Sequence, residues 1–105
     1  DMLKVGAENV AASEIEAVIL ESGWVNECAV VGQKHYMLDE VPVVFVTPTA
    51  AAPDDLKEQI IALCKANLAD FKVVRDVIIL EDFPRSTLEK IAKKELRDSL
   101  PAIEA

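Results

Sequence analysis

Hydrophobic and polar positions change period several times along the 105-residue chain, and each change predicts an element. Residues 2–10, MLKVGAENV, read as two short extended pieces around Gly6-Ala7, where a glycine permits a tight turn or a close backbone approach. Ser13-Glu14-Ile15-Glu16 has the form of a capping box, the serine capping a free N–H and the glutamate reaching back. Ile15, Val18 and Ile19 follow at helical spacing, and Gly23 closes this first helix. Residues 25–32, VNECAVVG, predict a strand; residues 41–47, VPVVFVT, predict a second, more apolar and central one, with a polar loop or hairpin between them. Pro53 and the two aspartates after it suit a helix start, and Leu56, Ile60, Leu63, Cys64 and Leu68 then form one apolar face. Residues 73–80, VVRDVIIL, predict a third strand, and Glu81 to Arg85 a turn. Ser86 to about Leu100 predicts a last helix, opened by a second capping box (Ser86 to Glu89). Leu88, Ile91, Ala92 and Leu96 would face the core, and Lys90, Lys93, Lys94 and Arg97 would face outward. The order predicts an α+β fold: a small three-stranded sheet with an N-terminal β-hairpin and three helices packed on it.

Composition adds a size and a class. With 51% hydrophobic and 29% charged residues the chain can bury a core, and residues 1–105 make one domain. No uncharged run approaches the ~18 residues of a membrane helix; the longest, Val41 to Pro53, has 13 residues and three prolines. The sequence predicts no membrane span and no secretory leader, and a start at Asp1 reads as a piece of something longer. The net charge of −8 argues against a nucleic-acid partner, which requires cations against phosphate. That charge is uneven: residues 1–71 hold four lysines against 12 acids, whereas residues 72–105 hold seven bases and seven acids. The cation-rich third is either a set of solvated helix faces or a surface that meets an anion. Cys28 and Cys64 lie in apolar segments with no CxxC pair, and His35 has no partner at ligand spacing; free buried thiols in a reducing cytoplasm are expected, and no metal site.

Spacing alone yields no Ser-His-Asp set and no glycine-rich phosphate loop. One stretch stands out: Pro84-Arg85-Ser86-Thr87-Leu88-Glu89-Lys90 sets hydroxyls and two cations at a predicted helix start. Such an end favours anions, and a lysine beside it can reach a phosphate or carboxylate. The plainer reading is a capped surface helix whose lysine faces water.

Three segments resemble those of the acyl-adenylate-forming superfamily. KVGAENVAASEIE resembles KxGGENVxPxEIE, ECAVVGQ…DEVPVVFV is similar to AVVGxPDxxxGExPxAFV, and LADFKVVRDVIILEDFPRSTLEKIAKKEL is similar to LAxYKVPRxVxFVDxLPRTxxGKILRKEL. They occur in the family's order and cover nearly the whole chain. The resemblance implies the small, mobile C-terminal lid of an AMP-forming acid–CoA ligase, inert in isolation. A large N-terminal adenylation domain would bind ATP, Mg2+ and the carboxylic acid; acyl-AMP would form with release of pyrophosphate; after rotation of the lid, the thiol of CoA would displace AMP. No cofactor is expected to bind tightly to this domain alone. By the resemblance, Lys90 matches the adenylation lysine, Gly6 and Ala7 the paired glycines lining the pantetheine tunnel, and Phe71 and Arg75 the aromatic-Lys-x-Pro-Arg segment near the CoA nucleotide. Ala7, Asp39, Val74 and Glu89 depart from the family's Gly, Gly, Pro and Gly. If Gly6 takes the unusual dihedral of the turn, Ala7 can stay in an ordinary region. Two alternatives remain open at this level: a non-catalytic interaction module that keeps the fold, or the lid of an adenylating enzyme serving a carrier protein.

Overall fold

The computed structural model describes residues 2–84 and 92–105. Strands β1 (Met2–Val5) and β2 (Glu8–Ala11) form an antiparallel hairpin, followed by helix α1 (Ala12–Glu21). Strands β3 (Val25–His35) and β4 (Asp39–Pro48) pair antiparallel over nearly their whole length. Helix α2 (Leu56–Asn67) then crosses back so that β5 (Asp76–Ile79) pairs parallel with β4. Helix α3 (Lys93–Asp98) follows.

The α+β class holds, but the sheet has five strands rather than three, ordered β2-β1-β4-β3 with β5 also on β4. The N-terminal hairpin is part of the sheet: β1 reaches β4 at Val5↔Asp39, and the Gly6 N–H donates to the Leu38 carbonyl at 2.8 Å. Both hairpin strands were legible; their partner was not, because a single non-local pairing leaves no mark on the period-2 pattern.

The sheet is covered on both faces, which accounts for the near-continuous apolar run of β4, buried from Val41 to Thr47. Cys28, Val30, Val44 and Val46 face a large cluster with Ile15 and Ile19 of α1 and Leu56, Ile60 and Cys64 of α2. Ala29, Val31, Val43 and Phe45, alternating with them, face a smaller cluster with Phe83 and Leu96.

Several local expectations shift. Helix α1 starts one residue before Ser13, with Ala11 as N-cap and no side-chain cap bond, so the first capping box does not form. The Glu16 carboxylate instead accepts the Val30 N–H at 2.9 Å, a tertiary bond that outcompetes the local one. Gly23 ends the helix as expected, at φ +75°. The loop between β3 and β4 shrinks to three residues, and His35 at the end of β3 ties it down: its Nδ1 accepts the N–H groups of Met37 (3.1 Å) and Leu38 (3.2 Å). β5 begins only at Asp76, because Asp70–Lys72 wind a 3-10 turn and Val73 and Val74 run on as a buried link. The predicted start of the last helix, with its capping box and Arg85, Glu89 and Lys90, lies outside the described residues.

β3 is an edge strand along most of its length, and its open side is managed by contacts. Glu16 takes the Val30 N–H, while the chain end supplies Ile103 N–H→Lys34 O (2.8 Å), Tyr36 N–H→Ile103 O (3.0 Å) and Gln33 Nε2→Pro101 O (2.9 Å).

Candidate functional site

Three of the residues singled out by the sequence fall along one edge of β4. Gly6 and Ala7 form the β1–β2 turn, tied to the Leu38 carbonyl; the Arg75 N–H donates to the Pro42 carbonyl at 2.8 Å. Leu38 and Pro42 are four residues apart, about 13 Å along a strand. β1 occupies that edge at Asp39 and β5 occupies it from Val43 to Val46. Pro42 stands in the gap between them, where its missing N–H leaves no ladder bond broken.

The turn itself is divided unequally between its two residues. Gly6 has φ +61°, and Ala7 is not among the residues at positive φ, so the alanine carries no left-handed cost. A Cβ on Gly6 would lie 3.6 Å from Leu38 Cδ2, an ordinary contact, so the glycine is required by the dihedral and not by space. Ala7 is exposed.

Phe71 lies in the 3-10 turn and packs, half-buried, against the larger cluster. The Lys72 ammonium sits 5.6 Å from its ring centre and is itself held by Glu14 at 2.9 Å. Arg75 is exposed and makes no ion pair among the described residues. It lines a shallow pocket of about 300 Å³ with Ile61, Lys65, Asp70, Val73 and Val74. An unpaired guanidinium over an apolar floor, with Lys65 beside it, suits a phosphate-bearing ligand with an apolar portion. Val74, where the family has proline, is buried and shapes that floor.

Trp24 is a rim anchor, partly buried against the larger cluster. Asn9 lies in β2 opposite Lys4. Lys90, the residue on which the adenylation expectation rests, lies outside the described residues.

Lys57 and Asp76 pair at 2.7 Å at the start of β5, and the lysine's hydrogen bond holds the Asp76 carboxyl below its usual range. Burial, reinforced by the negative charge of Glu16, pushes the Cys28 thiol up to about 12; burial also raises Cys64. Both thiols are free, and neither is poised as a nucleophile. No group of three His, Cys, Asp or Glu side chains among the described residues is placed to hold a metal ion, and no helix among them is long and apolar enough to cross a membrane.

The sequence reading missed Glu16 and Lys93, which meet at 2.7 Å with both side chains largely sheltered. The only signal was the second glutamate of SEIE, which a local reading assigns to the capping box.

Comparison with known proteins places these features. The chain is 36% identical over 97 residues to a 2-succinylbenzoate–CoA ligase of Bacillus cereus, covering 92% of this chain and 20% of that protein. It superposes on apo MatB from Rhodopseudomonas palustris with a TM-score of 0.87 at 33% identity, covering 94% of this chain and 20% of the other. The amide bond synthetase McbA from Marinactinospora thermotolerans gives a TM-score of 0.86 at 29% identity, again over 94% of this chain and 20% of the other. The chain thus spans about one fifth of the length of the relatives it matches. Residues 14–90 match the family described as AMP-binding enzyme C-terminal domain, and the chain belongs to that family.

Proposed function

We infer that this domain is the mobile C-terminal lid of a cytoplasmic, AMP-forming acid–CoA ligase, working against a large N-terminal adenylation domain. The observation that carries the reading is the family match over residues 14–90, which ends on Lys90 in PRSTLEK. The large domain would bind ATP, Mg2+ and the carboxylic acid. In the first half-reaction a carboxylate oxygen attacks the α-phosphorus and pyrophosphate leaves. Two anions must meet there, and the Lys90 ammonium is the group this chain contributes to hold them together. In the second half-reaction the CoA thiol attacks the acyl carbon and AMP leaves. For that step the chain offers the open Gly6-Ala7 turn, with room for a thin pantetheine arm. Farther along the same edge of β4 it offers Arg75 for phosphate and Phe71 beside the pocket. Adenine could stack on Phe71 only at the ring surface that Lys72 leaves open.

The named relatives favour CoA as acceptor, since the first is a CoA ligase. An acceptor other than CoA, a carrier protein, is the second reading; the likeness to an enzyme named an amide bond synthetase and not a CoA ligase keeps it open. The test is the full-length chain with Lys90→Ala. Acyl-AMP formation should fall ~10²-fold or more, the scale for loss of one preorganised charge contact. Thioester formation from supplied acyl-AMP should be nearly unchanged. Equal loss in both steps would refute the assigned role, and full activity would favour the module that kept the fold without the chemistry.

A further inference from the structure

One ring nitrogen organises the turn between β3 and β4. His35 closes β3, half-buried, and its Nδ1 accepts the N–H groups of Met37 at 3.1 Å and Leu38 at 3.2 Å. The ring stacks on Tyr36 with centroids 4.8 Å apart. The chain end braces β3 on either side of it: the Ile103 N–H donates to the Lys34 carbonyl, and the Tyr36 N–H donates to the Ile103 carbonyl. Leu38 is held from two directions. Its N–H goes to His35, while its carbonyl accepts the Glu40 N–H at 2.7 Å and the Gly6 N–H at 2.8 Å. A bond between residues two apart, around Asp39 at φ +62°, has the form of a strained γ-turn. Such strain persists only where the surroundings over-determine it. The Gly6 turn is mounted on this short piece of chain. Gly6 donates to Leu38, Val5 pairs with Asp39, and the Lys4 N–H donates to Glu40 Oε1 at 3.0 Å. All three ties land on residues 38–40, and His35 holds the first of these from behind. In the motif AVVGxPDxxxGExPxAFV the place of His35 is aspartate and that of Asp39 is glycine. An aspartate oxygen can accept the same neighbouring N–H groups, so a short-range acceptor is what both residue types offer there.

We propose that His35 is a positioning residue for thioester formation: by fixing Leu38 it fixes the Gly6-Ala7 turn along which the pantetheine arm runs. His35 touches no substrate in this scheme. A turn displaced by about 1 Å would misalign a thiol that must reach the acyl carbon, which is costly in rate. The proposal rests on the assignment of that turn to pantetheine made above.

The test uses the full-length ligase, with acyl-AMP formation and thioester formation from supplied acyl-AMP assayed separately. His35→Phe keeps a ring against Tyr36 and removes the acceptor; His35→Asn gives up the ring and keeps an acceptor. His35→Phe should lower kcat of the thioester step by roughly tenfold to a hundredfold, with the KM for CoA changed far less, because Arg75 is untouched. Acyl-AMP formation should not change, and His35→Asn should recover most of the loss. Amide hydrogen exchange around Leu38 and around Gly6 should quicken together in His35→Phe and stay slow in His35→Asn. Ala7→Val, run in parallel, narrows the channel directly and should slow the thioester step whatever holds the turn. Normal thioester kinetics in His35→Phe beside slowed kinetics in Ala7→Val would overturn the role of His35 and leave the channel standing. Normal kinetics in both would overturn the channel assignment and the proposal with it. Equal loss in both half-reactions, no recovery in His35→Asn, or quicker exchange at Leu38 without Gly6 would make His35 a local stabiliser and overturn the positioning role.

Discussion

Asp39 is the only non-glycine residue among those described at positive φ, at +62°. It opens β4 and pairs with both Val5 and His35, so its backbone cannot relax without breaking the junction between the two hairpins. The left-handed region costs an L-residue roughly 1–2 kcal/mol, less for Asp, and the family pattern has glycine here. Part of that gain is lost because glycine gives the unfolded chain more freedom. Asp39→Gly should therefore stabilise the domain by about 0.5 kcal/mol, or about 2–4 °C in Tm by thermal denaturation. A fall in Tm would mean that the Asp39 carboxylate contributes more locally than its dihedral costs. Gly6 was legible as a turn residue because a glycine between two short extended pieces signals one directly. Asp39 was legible only as a departure from a motif, since nothing in the residue itself announces a left-handed backbone. Glu16 was misread for the opposite reason: a complete local signal was present, and a strand N–H from elsewhere in the chain won the side chain.

Among the elements, β3 and β4 are held to each other by a contact that restricts one position severely. Any Cβ on Gly32 would run into the Glu40 carboxylate, which lies across the strand pair and accepts the Lys4 N–H at 3.0 Å. The carboxylate can swing aside only by giving up that bond. Gly32→Ala should thus cost about 1 kcal/mol, the net worth of a typical hydrogen bond. In a Glu40→Ala background the same substitution should cost little, so a double-mutant cycle by urea unfolding should give a coupling of similar size. Additive effects would show that Glu40 does not obstruct the site. The periodicities of α1, α2, β3 and β4 made these elements readable, since each buries a regular stripe. β5 was read too long because Val73 and Val74 are buried without being strand, and an apolar run records burial and not hydrogen-bond pattern.

For the molecule as a whole, burial of thiols in the larger cluster bears on how stability responds to alkali. Cys28 belongs to the larger cluster, and burial, followed by the Glu16 charge, raises its thiol from 9.0 to about 12. A raised folded-state value means that the folded protein holds the proton where the unfolded chain releases it. Stability from this group is complete below pH 9.0 and is lost as pH rises towards about 12. Denaturant unfolding from pH 8 upward should show that loss, and Cys28→Ala should flatten it, whatever its baseline cost. An unchanged slope in the variant would assign the alkaline limb to other groups. The candidate site was legible to a different degree. Lys90, Gly6, Ala7, Phe71 and Arg75 came from motif resemblance, because composition and spacing hold no constellation of their own. That Gly6 and Arg75 hang from one edge of one strand depends on β1 and β5 sharing β4, which no local pattern records.

Pro42 gives that shared edge a fixed zero point. A strand made wholly of residues with N–H groups can shift by two positions and still satisfy its neighbours, keeping the same faces inward. Here such a shift would set a nitrogen without hydrogen against a carbonyl of β1 or β5 and leave a buried acceptor empty, at about 1–3 kcal/mol. The proline therefore works as an index pin. It makes the spacing between the Gly6 turn and the Arg75 pocket a constant of the fold, like the gauge of a track, so a long ligand reaching from one to the other would meet both at a distance set by the backbone alone.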